Sequence, residues 1–312
     1  MRTVIALAAT LAGAVALSAH AEAWREVAPM ESARTQIRAA VVKGEIYVAG
    51  GSTLSGQSDV FEVYDPVADH WHALQSMPDG RELFGMASLG SLVYVVGGLS
   101  SWTKGAPTNT VYSFDTSSGL WQRRDDLPEA RAGLTVSAVG DALFAIGGRG
   151  GQASRVFRYD PATDKWGTIG APLPQPRTGH AAAVRGSRIY ILGGRDLDGQ
   201  PLSRVDIFDT VSRTWSSGPN LPSSIVSAAA DFLDEKLHIA GGTAPEVRRT
   251  LTSHWMLDPL AAKWAPVKSM PTARQGLTSA AINGRWYLIG GGAGDGVLAV
   301  FTETDTVEVY TP

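Results

Sequence analysis

The sequence predicts an all-β fold, six repeats of four short strands closed into a ring as a six-bladed β-propeller. Three observations predict it. First, a Gly-Gly pair ends an apolar, strand-like run six times, at Gly50-Gly51, Gly97-Gly98, Gly147-Gly148, Gly193-Gly194, Gly241-Gly242 and Gly290-Gly291, with spacings of 47, 50, 46, 48 and 49 residues. Second, other marks keep phase with those pairs. Tyr64-Asp65, Phe114-Asp115, Tyr159-Asp160, Phe208-Asp209 and Leu257-Asp258 are each followed six residues after the Asp by Trp71, Trp121, Trp166, Trp215 and Trp264. An arginine stands 16 residues before the first Gly in five repeats (Arg34, Arg81, Arg131, Arg177, Arg274), and Ile225 takes that place in the remaining one. Third, the last repeat stops before its Trp-bearing fourth strand, and the N-terminal side supplies one. Self-similarity at such a period is the signature of a repeat architecture and takes precedence over local propensity.

Each element follows from its residues. The first repeat predicts strands over residues 34–42, 45–49, 59–64 and 71–74. The second strand is typically apolar (IYVAGG, VYVVGG, IYILGG), as expected of a strand buried on both faces. Lys43-Gly44 and Asn283-Gly284 fall where tight hairpin turns belong, and such turns need positive φ. Each Asp opens the turn between the third and fourth strands, where its side chain accepts a local backbone hydrogen bond. The glycine pairs, lacking Cβ, are expected to admit an aromatic side chain from the next blade. The repeated Trp and Tyr/Phe are read as packing between blades, and the phased arginines as structural.

Closure is expected from residues 24–30, from Trp24 to Met30. Their pattern Trp-Arg-Glu-Val-Ala-Pro-Met parallels Trp-Ala-Pro-Val-Lys-Ser-Met starting at Trp264, and both Trp residues precede the next Arg by ten. The last blade is then shared between residues 22–30 and 274–312, and the ring has no free edge.

Residues 1–21 read as a secretory signal peptide: Arg2, then an uncharged run over residues 4–17, then Ala19-His20-Ala21 as the cleavage motif. The expectation is an exported protein, periplasmic or secreted, with residues 22–312 as a single monomeric propeller. That apolar run is shorter than the ~20 residues of a spanning helix, and no other stretch suits one. Charge is nearly balanced, 27 Lys+Arg against 30 Asp+Glu, without a concentrated basic face, which argues against a nucleic-acid partner. With no cysteine, disulfides and thiolate chemistry are excluded. Neither a cofactor nor a metal site is expected; His70 and His72 flank Trp71 without a third ligand.

These marks together resemble the kelch repeat, most fully over residues 188–215 (RIYILGGRDLDGQPLSRVDIFDTVSRTW), and the resemblance spans residues 22–312. It implies a six-bladed kelch β-propeller. Kelch domains tend to take ligands on the residue after Gly-Gly and just after the phased Arg. Carried over, the first set is Ser52, Leu99, Arg149, Arg195, Thr243 and Gly292; the second is Thr35, Glu82, Ala132, Thr178, Val226 and Gln275. From these, Arg149, Arg195, Ser52, Thr35, Glu82, Thr178 and Gln275, with His180, form the candidate ligand-binding set. Arg149 and Arg195, on adjacent blades, would suit a carboxylate.

Loop lengths indicate the working face. From the second Gly to the Asp position the distance is 14, 17, 12, 15, 16 and 20 residues, whereas from Asp to Trp it is always six. Variation is concentrated in the loops between second and third strands, where binding specificity tends to reside. The expected partner is a protein, or a small acidic or sugar ligand, at the channel mouth on that face. Exposed Leu99, Trp102, Val297 and Leu298 in a patch would favour a protein; an acid among the arginines would favour an enzyme. The alternative function is a sugar-processing enzyme, through a distant similarity to the sialic acid mutarotase family. Members of that family carry an inserted segment with a functional Glu, and the even spacing here leaves no room for one.

Overall fold

In the computed structural model the described residues are 23–312 except Gly105, Val247 and Asp295, together with all side chains there but those of Trp102, Val297 and Val300. The expected signal peptide, residues 1–21, lies outside them. Six four-stranded antiparallel sheets form six blades. Naming strands a to d from the channel outward, blade 1 comprises Arg38–Val42, Glu45–Ala49, Phe61–Asp65 and His70–Ala73. Blade 6 comprises Thr278–Ile282, Arg285–Ile289, Val307–Thr311 and, as strand d, Ala23–Val27. The N-terminal strand pairs antiparallel with the C-terminal one from Ala23↔Thr311 to Val27↔Val307, so the ring closes as expected, with a strand that ends three residues before Met30. Met30 is buried, and its N–H is taken by Asp305 O at 2.9 Å.

The repeated residues do the same work in every blade. All six phased indoles donate to a carbonyl of the preceding blade: Trp24 to Lys268 O, Trp71 to Ala28 O, Trp121 to Gln75 O, Trp166 to Asp125 O, Trp215 to Ala171 O and Trp264 to Pro219 O. Trp24 therefore occupies the same station as the five Trp residues that follow an Asp. The c–d Asp residues accept the N–H two residues on, as at Asp65 from Val67 (2.8 Å) and Asp209 from Val211 (3.0 Å). Lys43-Gly44 and Asn283-Gly284 both have positive φ, the backbone of a tight hairpin turn.

The glycine pairs differ from expectation. A Cβ on the first Gly would meet the carbonyl of the next blade's phased residue in every blade, from 2.3 Å at Gly193 to 2.9 Å at Gly290; an aromatic ring presses in at two of them, Phe84 at Gly50 and the His180 imidazole at Gly147. In blades 1, 2, 4, 5 and 6 the second Gly donates its N–H to that carbonyl, as in Gly51 to Arg81 O at 2.7 Å. The pair is thus a backbone joint between blades, and this close approach is what requires glycine.

The five phased arginines are fully buried. In each, Nη1 donates to the first Gly of its blade and to a carbonyl just ahead of strand c: Arg274, for example, bonds Gly290 O at 2.8 Å and Thr306 O at 2.9 Å. The counter-charge comes from one of two places. Strand c supplies it in blades 1, 4 and 6 as Glu62, Asp206 and Glu308. In blades 2 and 3 the corresponding residues are Tyr112 and Phe157, whose rings lie 4.9 and 4.5 Å from the guanidinium carbon. There the acid stands two residues before the arginine, as Asp79 (2.7 Å) and Glu129 (3.1 Å). Blade 5 dispenses with charge: Ile225 and Trp255 pack in one apolar cluster. A buried arginine needs a paired carboxylate, and this chain provides one in every blade that has the arginine.

Strand a begins later than expected, at Arg38 in place of Arg34, because the chain bends two residues past the arginine. That position has positive φ in all six blades: Gln36, Leu83, Gly133, Gly179, Ser227 and Gly276.

Candidate functional site

The bend has a consequence for the channel. Around the ring, Gln36 N donates to Gly276 O, Gly276 N to Ser227 O, Ser227 N to Gly179 O, Gly179 N to Gly133 O and Gly133 N to Leu83 O, at 2.6 to 3.2 Å. This belt of backbone hydrogen bonds encircles the channel. Among the described residues its sixth step, from Leu83 N to Gln36 O, is not formed. A cavity of about 340 Å³ lies along the channel, lined by strand-a residues of all six blades. That volume is at the lower end of the range for small-molecule sites.

The expected site residues divide into groups. Thr35 and Ser52 exchange backbone hydrogen bonds at 3.1 and 2.7 Å, and Thr35 Oγ1 donates to Gln275 O at 3.3 Å. Ser52 Oγ donates to Glu82, which also accepts from Gln57 Nε2 at 2.9 Å. Gln275 Nε2 reaches Gly294 O at 2.6 Å. Gln275, Thr35, Ser52 and Glu82 are thereby linked across blades 6, 1 and 2; all but Glu82 are buried. On the other side, Thr178 pairs with Arg195 and donates to Gly133 O at 3.3 Å. Arg195 is half-exposed and donates to Gly199 O at 3.1 Å. Arg149, opposite Ala132 at the end of an extended strand b in blade 3, is exposed.

Of the expected set, only His180 lines the central cavity. Its Nε2 meets Thr135 Oγ1 at 3.0 Å. Burial, then the charges of Arg177 and Arg38, pull its pKa down to about 3, so the imidazole is neutral at neutral pH. Two lining residues were missed in the sequence, Arg38 and Asp231, one guanidinium and one carboxylate. Burial lowers Arg38 to about 10, leaving it protonated. Burial raises Asp231 to about 6, against two stabilising N–H donors, Phe232 at 2.9 Å and Ala281 at 3.0 Å. The only sequence signal was a charge inside strand a, four and six residues past the phased position, where other blades carry small or hydroxyl residues.

His238 and His254 form a buried pair, Nδ1 to Nε2 at 2.8 Å, packed with Trp24, Trp286 and Tyr310 at the seam of blades 5 and 6. Among the described residues no group of three His, Cys, Asp or Glu is placed to hold a metal ion, and no helix is long and apolar enough to cross a membrane. Among the described residues the exposed apolar residues of the b–c loops are Leu54, Leu197, Leu298 and Phe301; Leu99, expected in a patch, is buried, and the side chains of Trp102 and Val297, expected there too, lie outside the described ones. The short 3₁₀ helix Gly296–Phe301 of blade 6 packs against Ser52–Thr53 of blade 1, so Leu298 and Phe301 on the helix and Leu54, next to Thr53, belong to adjoining segments of neighbouring blades on the loop face.

Comparison with known proteins agrees with this architecture. A family model described as the KLHDC2/KLHL20/DRC7 Kelch-repeats domain matches residues 133–309, and the Kelch motif matches residues 33–78 and 80–128. Kelch-like protein terF of Aspergillus terreus is 30% identical over 237 residues, 70% of this chain and 52% of that protein. Kelch-like protein 35 of Mus musculus is 29% identical, over 65% of this chain and 34% of its own length. Alpha-scruin of Limulus polyphemus is 28% identical, over 73% of this chain and 26% of its own. The match therefore spans about half of the first relative and about a third or less of the other two. The solved structure of YjhT superposes with a TM-score of 0.77 at 16% identity, over 90% of this chain and 96% of that one, which shows a common fold. With family models covering the chain from residue 33 to 309 and the repeat marks carrying the blade joints, the chain belongs to the kelch-repeat β-propeller family.

Proposed function

We propose that the chain is an exported, monomeric recognition propeller that takes a protein partner on its b–c/d–a loop face. The observation that carries this reading is the grouping of Leu54, Leu298 and Phe301, 66%, 56% and 64% exposed, on adjacent blades 6 and 1 of that face. On the opposite face the exposed apolar residues Val67, Leu120, Val211 and Leu260 stand singly, one to a blade. Grouped exposed apolar surface marks interaction sites, whereas scattered residues do not. Export rests on the pattern of residues 1–21, and the monomer on the paired terminal strands, which leave no open edge.

The test is photo-cross-linking in the producing cell from a reactive residue placed at position 54 or 298, with positions 67 and 211 as the opposite face. Adducts from the loop face alone support the reading; adducts from neither face, or equally from both, overturn it. Cell fractionation and the mature N-terminus test export.

A second reading, a sugar-processing enzyme working in the channel, has one observation behind it. Asp231, with its pKa raised to about 6, suits acid–base work. Anomer exchange with a pH profile inflecting near that value, abolished by Asp231→Asn, would favour it.

A further inference from the structure

Seven arginines stand at or inside the ring's inner strands, counting Arg185 at the end of blade 4's, which pairs with Glu235, and one of them is unlike the rest. Arg34, Arg81, Arg131, Arg177 and Arg274 are fully buried, and each is paired with a carboxylate. Arg38 is half-buried, lines the channel cavity and forms no ion pair among the described residues. Its one hydrogen bond runs from Nη1 to Ile37 O at 2.8 Å, and a guanidinium has five N–H donors. The belt around the channel is open at the same place. Leu83 N, which would have bonded Gln36 O, lacks that partner, and Gln36, Arg38 and Leu83 all line the cavity. A charged donor and an unbonded backbone N–H therefore share one wall, at the seam of blades 1 and 2. We infer that this seam is a receptor for a small organic carboxylate, held by the Arg38 guanidinium and by Leu83 N–H inside the channel.

The chemistry follows from the donors. A planar fork of N–H groups matches the two oxygens of a carboxylate. Partial burial strengthens the pairing relative to an arginine in open solvent. Nothing on this wall competes: the cavity's one carboxylate among the described residues is Asp231 of blade 5, which is bonded by Phe232 N and Ala281 N. The remainder of the lining is small or hydroxyl-bearing, such as Ala39, Ala182, Thr135 and Ser279. The cavity of about 340 Å³ limits the ligand to a small molecule. This site is separate from the apolar group on the loop rim.

The experiment is thermal unfolding of the protein with lactate, benzoate or glucuronate, each compared with its neutral amide. A ligand confined to the native state raises the midpoint. At least one carboxylate is expected to raise it in a saturable way while its amide does not. Arg38→Gln should abolish the rise, and Arg38→Lys, which keeps the charge but loses the fork, should weaken binding at least tenfold. Ala182→Phe, which fills the channel without touching Arg38, should abolish it too, and serves if Arg38→Gln fails to fold. A set of carboxylates without effect, or a rise that survives both Arg38→Gln and Ala182→Phe, overturns the inference. So does a rise lost only in Arg149→Ala with Arg195→Ala, which would place the anion on the rim. Cross-linking from positions 54 and 298 repeated in Arg38→Gln keeps the two proposals apart, because the rim reading requires those adducts to persist.

Discussion

Replacing Glu308 by Tyr should leave Arg274 charged, buried and without a carboxylate. The guanidinium would keep its bonds to Gly290 O and Thr306 O (2.8 and 2.9 Å) and lose the one to Glu308 Oε2 (2.7 Å). Both partners of that pair are fully buried, and removing one partner of such a pair costs about 3–5 kcal/mol. The new ring offsets part of this, by about 1–2 kcal/mol, through contact with a desolvated cation. The net loss should be about 2–4 kcal/mol, or roughly 3–7 °C in Tm for a domain of this size. Blades 2 and 3 supply the rescue. There the aromatic residue on strand c is accompanied by an acid two residues before the arginine. Thr272 holds that place in blade 6, so Thr272→Asp should recover most of the loss when combined with Glu308→Tyr. Alone it should do little, because Arg274 is already paired. A double-mutant cycle from urea unfolding, followed by tryptophan fluorescence, should give a coupling of about 2–4 kcal/mol. Glu308→Tyr within about 1 kcal/mol of wild type, or a double variant no better than the single, would refute the idea that the two acid positions substitute for one another.

Three further outcomes are expected. His180, His238 and His254 are held at about 3, 4 and 3 by burial. The unfolded chain then binds more protons than the folded one once pH falls below about 6.5, so their contribution is full above that pH and is lost towards pH 3–4. Urea midpoints should fall with a slope of up to about 4 kcal/mol per pH unit, and His180→Gln should reduce the slope by about one proton; a midpoint flat between about pH 7 and 5 would contradict this. Asp231, raised to about 6 by burial, has the opposite sign: its contribution is present below the unfolded pKa and lost as pH rises through the folded value. Asp231→Asn should therefore stabilise the protein above about pH 6, by about 1–2 kcal/mol, since the full shift is partly offset by the loss of one of two accepted N–H bonds; a destabilised variant at neutral pH would contradict it. Trp24→Ala removes both the indole bond to Lys268 O and the packing against Trp286 and Tyr310, and should cost about 2–4 kcal/mol in the same unfolding assay; an effect below about 1 kcal/mol would mean that closure does not depend on it.

The sequence by itself determined the blades. Every blade meets the same packing problem, so the residues that solve it recur in phase, and Gly-Gly, Asp, Trp and Arg were legible at their period before any coordinates. Closure was legible too, because Trp24 stands in the same relation to Arg34 as Trp264 does to Arg274. The alternation of Glu62, Asp206 and Glu308 with Asp79 and Glu129 was present in the letters, but it had no meaning until Tyr112 and Phe157 were seen beneath their arginines.

Only the tertiary structure decided what the channel contains. Apart from their phase in the repeat, Arg38 and Asp231 read as ordinary polar residues of half-exposed strands, like Arg185. Their setting is made by six inner strands, one per repeat, brought around one axis by contacts between residues far apart in sequence. For the same reason Arg149 and Arg195, adjacent in the repeat pattern, lie outside the cavity: repeat phase places a residue along its blade, and the direction of its side chain depends on its neighbours across the ring.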